Sequence, residues 1–195
     1  MKIAKLVIIR HCKTSLNEEN RLQGVTDLPL SEEGTRQSHE LALALKNERM
    51  DIMYTSQMRR AVQTAEAINK FHSIPLSKEK VLNEMSYGDF EGMTFGEVRE
   101  KYPKLYEEWS EDGFNFTFPK GESLRIMKDR LKQFLVIILE QKKDAMIVAH
   151  GEVSRVILGS LLHWSNEKIA SAKLGNGSVT ILEIGKTPKL LVFNS

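Results

Sequence analysis

The chain has 195 residues, 41% hydrophobic and 28% charged, the size and balance of one compact domain with its own core. A net charge of +2, from 28 Lys+Arg against 26 Asp+Glu, gives no basis for broad binding to nucleic acid or a membrane surface, so any positive patch must be local. No apolar stretch approaches the ~18 residues of a membrane span, the N-terminal apolar run is too short for a signal peptide, and the single cysteine, Cys12, allows no intrachain disulfide, so a reducing, cytoplasmic setting is expected.

An apolar run over residues 5–10 predicts the first strand, and the polar stretch 17–29 reads as a loop. Ser31 is a natural N-cap with Glu32 and Glu33 in the favourable first turn of a helix reaching about residue 47. A short strand over 51–55 feeds a helix over 56–71, where Met58, Ala61, Val62, Ala65 and Ile68 recur at helical spacing. Another short strand falls within 75–82. Residues 84–118 are irregular, with helical pieces on either side of Pro103, and Phe114, Phe116 and Phe118 alternate as in a strand packed on one side or an apolar wall over a substrate. From Ser123 a long helix carries the stripe Leu124, Met127, Leu131, Phe134, Leu135 and Ile138. A strand over 145–149, a helix over 152–162 and strands over 177–184 and 189–193 complete the chain. Strands alternating with helices imply a mainly parallel sheet covered on both faces, with no internal repeat or linker.

Two apolar runs end in histidine: Leu6-Val7-Ile8-Ile9 leads into Arg10-His11, and Ala145-Met146-Ile147-Val148-Ala149 into His150-Gly151. In open α/β sheets ligands bind beyond the carboxyl ends of the strands, where His11, Ser56, Glu84 and His150 fall. An arginine beside the first histidine points to an anionic substrate, most simply a phosphate. Transfer of a phosphoryl group to a histidine needs a neutral imidazole, guanidinium groups to spread the charge, and a carboxyl group to protonate the leaving alkoxide. Residues 121–123 add Gly-Glu-Ser, and residues 88–92 add Gly-Asp-Phe-Glu-Gly.

Read in order, the segments Arg10-His11-Cys12-Lys13-Thr14, Asn17, Arg21-Leu22-Gln23-Gly24, Arg60-Ala61 with Thr64-Ala65, Leu82-Asn83-Glu84, and Ala149-His150-Gly151 resemble the histidine phosphatase superfamily, the phosphoglycerate-mutase-like proteins. The resemblance implies a three-layer α/β/α sandwich spanning residues 1–195 as one domain, with a lid-like segment at about 85–121. It implies that His11 is the nucleophile, that Arg10, Arg60 and His150 hold the phosphoryl group, that Asn17, Gln23 and Gly24 contribute to substrate binding, and that Glu84 donates the proton. Arg60 rather than Arg59, and Glu84 rather than Asp89 or Glu91, follow from the family pattern. The lysine and cysteine after His11 replace residues usual in the family. Residues 88–92 and 121–123 are similar to those of α-ribazole-5′-phosphate phosphatases and of broad-specificity phosphatases.

The activity so implied is hydrolysis of a small phosphate monoester, without metal or cofactor, by a monomer or homodimer. The alternatives are a phosphoglycerate mutase, a phosphatase of protein phosphohistidine, and a phosphate-binding protein without catalysis. A short 85–121 segment favours hydrolysis over mutase chemistry, because water reaches the site more easily. His-Cys after a strand also opens the tyrosine-phosphatase signature, but the arginine due six residues after that cysteine is Glu18, so Cys12 is not expected to be the nucleophile. His39, His72 and His163 lack any such context and are expected to be solvated or capping residues.

Overall fold

The computed structural model describes residues 4–195. Six strands form one sheet: β1 (Ala4–Arg10), β2 (Ile52–Thr55), β3 (Leu76–Lys78), β4 (Ala145–Ala149), β5 (Val179–Ile184) and β6 (Lys189–Val192), in the order β3-β2-β4-β1-β5-β6. The pairs β2–β3, β2–β4 and β1–β4 are parallel, whereas β5 and β6 pair antiparallel at one edge. The helices are α1 (Ser15–Glu18), α2 (Glu32–Leu45), α3 (Arg59–Asn69), α4 (Phe95–Lys101), α5 (Pro103–Glu111), α6 (Leu124–Glu140), α7 (Gly151–Leu161) and α8 (Asn166–Ser171).

The two-residue period of a strand splits the core in two. Leu6, Ile8, Tyr54, Ala145, Ile147 and Ala149 face one side, where α6, α7 and the 84–118 segment cover them. Val7, Ile9, Met53, Met146 and Val148 face the other, under Leu41, Ala42 and Leu45 of α2 and Ala61, Ala65 and Ile68 of α3. Each of the Leu, Ile, Val and Met side chains removed from water contributes ~1.5–3 kcal/mol. This is the α/β/α sandwich with a mainly parallel sheet that the alternation of elements predicts.

Local signals hold at several ends. Ser31 accepts the Gly34 amide at the start of α2, and Ser123 accepts that of Ile126 at the start of α6. Two expectations differ. The α3 helix begins at Arg59 rather than 56, because residues 56–58 are spent on the turn out of β2. The alternating Phe114, Phe116 and Phe118 are buried but form no strand. Their backbone turns between α5 and α6, and the rings of Phe116 and Phe118 pack on each other, on Phe90 and on Trp109. Period-two burial is here produced by ring stacking in a loop rather than by a ladder.

Candidate active site

The site is set by the register of two neighbouring strands. Arg10 in β1 lies opposite Ala149 in β4, so the next residues, His11 and His150, leave the sheet side by side. The His11 amide donates to the Ala149 carbonyl (2.9 Å), and the imidazoles meet edge to face with centroids 5.1 Å apart. Both rings are buried.

The tautomer of His11 follows from its contacts. Its Nδ1–H donates to the Cys12 carbonyl (2.7 Å), which leaves Nε2 with a lone pair. Burial, then the charges of Arg60 and Arg10, hold its pKa well below the ordinary 6.5. The ring is therefore neutral at physiological pH, as a nucleophile requires. His150 is held well below its ordinary value by burial first, then by Arg60, His11 and Arg10, and its nitrogens are engaged: Arg60 Nε donates to Nδ1 (3.2 Å), and Nε2–H donates to Ser56 Oγ (2.7 Å).

Arg60 is fully buried, whereas Arg59 is exposed, its amide donating to Asp27. Beyond His150, the Arg60 guanidinium donates to the carbonyls of Thr26 (2.9 Å) and Gly24 (2.8 Å). Gly24 lets this loop pack against the 85–91 segment, because a Cβ there would collide with the Met85 carbonyl and the Glu91 carboxylate. Glu91 holds the same loop by accepting from the amides of Gly24 and Val25 and from the Thr26 hydroxyl. The Arg10 guanidinium donates to the Leu174 carbonyl, but its buried Nε has no partner. An orphaned guanidinium donor beside a neutral imidazole is a ready ligand for an anionic oxygen.

The carboxyl group on this site is Glu84. Its Oε1 accepts from the Met85 amide (2.9 Å) and its Oε2 from the Glu152 amide in the first turn of α7 (3.3 Å). Burial, and next the charge of Glu152, push its pKa up to about 7. Its rivals are committed elsewhere: Asp89 pairs with Lys120, and Glu91 holds the 24–26 loop.

Arg10, His11, Asn17, Gln23 and Glu84 line one cavity of about 1310 Å³, and Phe95, Tyr106, Trp109 and Phe114 give it an aromatic side. Gly24, Arg60 and His150 stand behind this wall. Gln23 is locked, accepting from the Thr14 hydroxyl (2.6 Å) and donating to the Thr26 carbonyl (3.2 Å). Asn17 turns its oxygen to Thr14 and Asn176, which leaves its amide nitrogen for a ligand. Cys12 is buried in the core on the α2–α3 side, and burial pushes its thiol up to about 11, so it is inert at neutral pH. The charge of Lys13 bears on Glu33 of α2, away from the cavity. Sequence reasoning missed Tyr87, Glu152, Arg155 and Asn176, which also line the cavity. Only Glu152 carried a signal, as a charged residue two positions after a strand-end histidine.

This arrangement, a neutral histidine with a free Nε2, two arginines and a buried carboxyl whose pKa is raised to about 7, at the carboxyl edge of a parallel sheet, suits phosphoryl transfer, and the chain belongs to the histidine phosphatase superfamily (branch 1), which it matches over residues 6–194. Its relatives include phosphoserine phosphatase 1 of Hydrogenobacter thermophilus, 31% identical over 93% of this chain and 87% of that protein. It is also 32% identical, over 86% of its length, to rat 6-phosphofructo-2-kinase/fructose-2,6-bisphosphatase 4, of which it spans 35%. Among solved structures, a mutant phosphoserine phosphatase from Entamoeba histolytica, in complex with phosphoserine, superposes with a TM-score of 0.87 at 28% identity, covering 98% of this chain and 97% of that one. The α-ribazole phosphatase of Shigella flexneri superposes with a TM-score of 0.88 at 25% identity, covering 98% and 96%.

Proposed function

We propose that the chain is a metal-independent phosphomonoesterase that works through a phosphohistidine on His11. The observation that carries this reading is the His11 ring itself: neutral, tied at Nδ1, and free at Nε2, under the charges of the buried Arg60 and the half-buried Arg10. In the first step the Nε2 lone pair attacks phosphorus in line with the ester oxygen. The P–O bond breaks, and Glu84 gives its proton to the departing alkoxide. Arg10, through its unpartnered Nε, and Asn17, through its amide nitrogen, hold the equatorial oxygens. Arg60 acts from behind, as a fixed positive charge that also orients His150. In the second step water attacks the phosphohistidine, loses its proton to the Glu84 carboxylate, and releases inorganic phosphate with His11 restored.

The substrate we infer is a small phosphorylated metabolite with a flat organic part. Five aromatic residues on the cavity wall favour a ring, and α-ribazole 5′-phosphate has one. O-phosphoserine is the second candidate, on the names of the relatives at 31% and 28% identity. The test is phosphate release from p-nitrophenyl phosphate in EDTA, followed by a panel of α-ribazole 5′-phosphate, O-phosphoserine, sugar phosphates and both phosphoglycerates. We expect EDTA-resistant release, an acid-labile, alkali-stable phosphoenzyme, and neither in His11→Ala. Turnover of 3-phosphoglycerate to 2-phosphoglycerate faster than phosphate release, or retention of activity by His11→Ala, overturns the reading.

A further inference from the structure

Glu84 does not stand alone in the cavity. Glu152, at the second position of α7, donates its amide to Glu84 Oε2, and its own carboxylate lines the same cavity with a side chain only 16% exposed. That carboxylate is held from two sides. Tyr87 Oη–H donates to Oε1 (3.0 Å), and Arg155, one turn on in α7, pairs with Oε2. Arg155 is anchored in turn to the Ala170 carbonyl of α8.

The groups facing Glu84 are Arg60 from α3, Glu152 from α7, Tyr87 from its own segment, and Arg10 and His11 from the end of β1. Arg130 of α6 lies behind that segment, donating to the carbonyls of Val81 and Asn83 and pairing with Glu122. Of the two carboxyls, Glu152 has an arginine directly on it, whereas the oxygens of Glu84 meet only backbone amides.

We propose that Glu152 is a positioning residue: with its oxygens bound by Arg155 and Tyr87, it keeps the one proton of the carboxyl pair on Glu84, poised for the leaving oxygen. The proposal rests on the reading of Glu84 as the proton donor. Two neighbouring carboxyls in a poorly hydrated site hold one proton between them more readily than none, and it resides on the member without a cation. The same arrangement serves the second step. Once Glu84 has given up its proton, the nearby anion makes it the stronger base toward the attacking water.

The pH dependence of kcat/KM tests this with two probes, phenyl phosphate, whose leaving group needs a proton, and p-nitrophenyl phosphate, whose leaving group needs it far less. Glu152→Gln should move the basic limb for phenyl phosphate down by about one pH unit, a roughly tenfold loss above it, with a smaller loss for p-nitrophenyl phosphate. Glu152→Asp should restore the wild-type profile. Arg155→Gln, which removes a cation from the pair, should move the limb the opposite way, and it carries the test alone if Glu152→Gln does not fold. An unmoved limb in both glutamine variants, or an equal loss for both esters at every pH, overturns the proposal and leaves Glu152 a structural residue. If the limb persists in Glu84→Gln, Glu84 is not the donor and both readings fall. If the limb vanishes in Glu84→Gln but does not move in the Glu152 and Arg155 variants, this one falls alone.

Discussion

The two halves of the site are built on different principles. His11, His150 and Arg60 stand on the central strands and on the helix after β2, with the register Arg10 to Ala149 fixing the imidazoles. Glu84 and the aromatic side of the cavity stand on residues 84–118, short helical pieces and loops held by ring packing and side-chain hydrogen bonds. The strand-end half is fixed because the two imidazoles extend a buried ladder and the Arg60 guanidinium is bonded to His150, Thr26 and Gly24. The loop half can vary without disturbing the sheet, as expected where a fold changes substrate and keeps its chemistry. Changes in the first half should therefore appear in kcat. Changes in the second should appear in KM, in leaving-group dependence and in stability.

The sharpest test of the first half is His11→Ala, expected to lower kcat/KM by about 10⁴-fold or more and to abolish the phosphoenzyme in rapid-quench experiments. Glu84→Gln should come next, with a loss of about 10²–10⁴-fold on phenyl phosphate and a clearly smaller loss on p-nitrophenyl phosphate. An equal loss on both would assign Glu84 to binding. The pH profile follows in size. Activity toward phenyl phosphate should decline above about 7, where Glu84 loses its proton. Stability should decline as pH falls below 6.5, because the unfolded chain takes up protons that the buried, neutral His11 and His150 refuse. Denaturant titrations across the acid range measure this.

Trp109→Ala breaks the loop half. Trp109 packs on Phe90, Phe95, Phe116 and Phe118, so its loss should cost about 2 kcal/mol of stability and raise KM several-fold for a ring-bearing ester, with kcat little changed. A fall in kcat matching that of His11→Ala would erase the distinction between the halves. The smallest effect is expected from Cys12→Ala, with activity within about twofold of wild type and a stability loss of about 1 kcal/mol, since the thiol faces the core rather than the cavity.

Much of this was legible in the chain alone, for a physical reason. Parallel strands in one sheet end at the same edge, so two apolar runs each closed by a histidine already place two imidazoles in one crevice. The α3 and α6 stripes, and the Ser31 and Ser123 caps, are equally local. The period-two phenylalanines misled, because burial alternates in a packed loop as it does in a strand.

Tertiary structure alone decided the states of these groups. The partner of Arg60 lies 90 residues away at His150, and the amide that reaches Glu84 lies 68 residues away at Glu152. Sequence spacing carries no information about such contacts, or about the burial that keeps His11 neutral and raises the pKa of Glu84 to about 7. The residues of the candidate chemistry are thus written in the sequence. Their protonation, the engagement of both nitrogens of His150, and the Glu152–Arg155 pair beside the acid arise only where distant segments exclude water together.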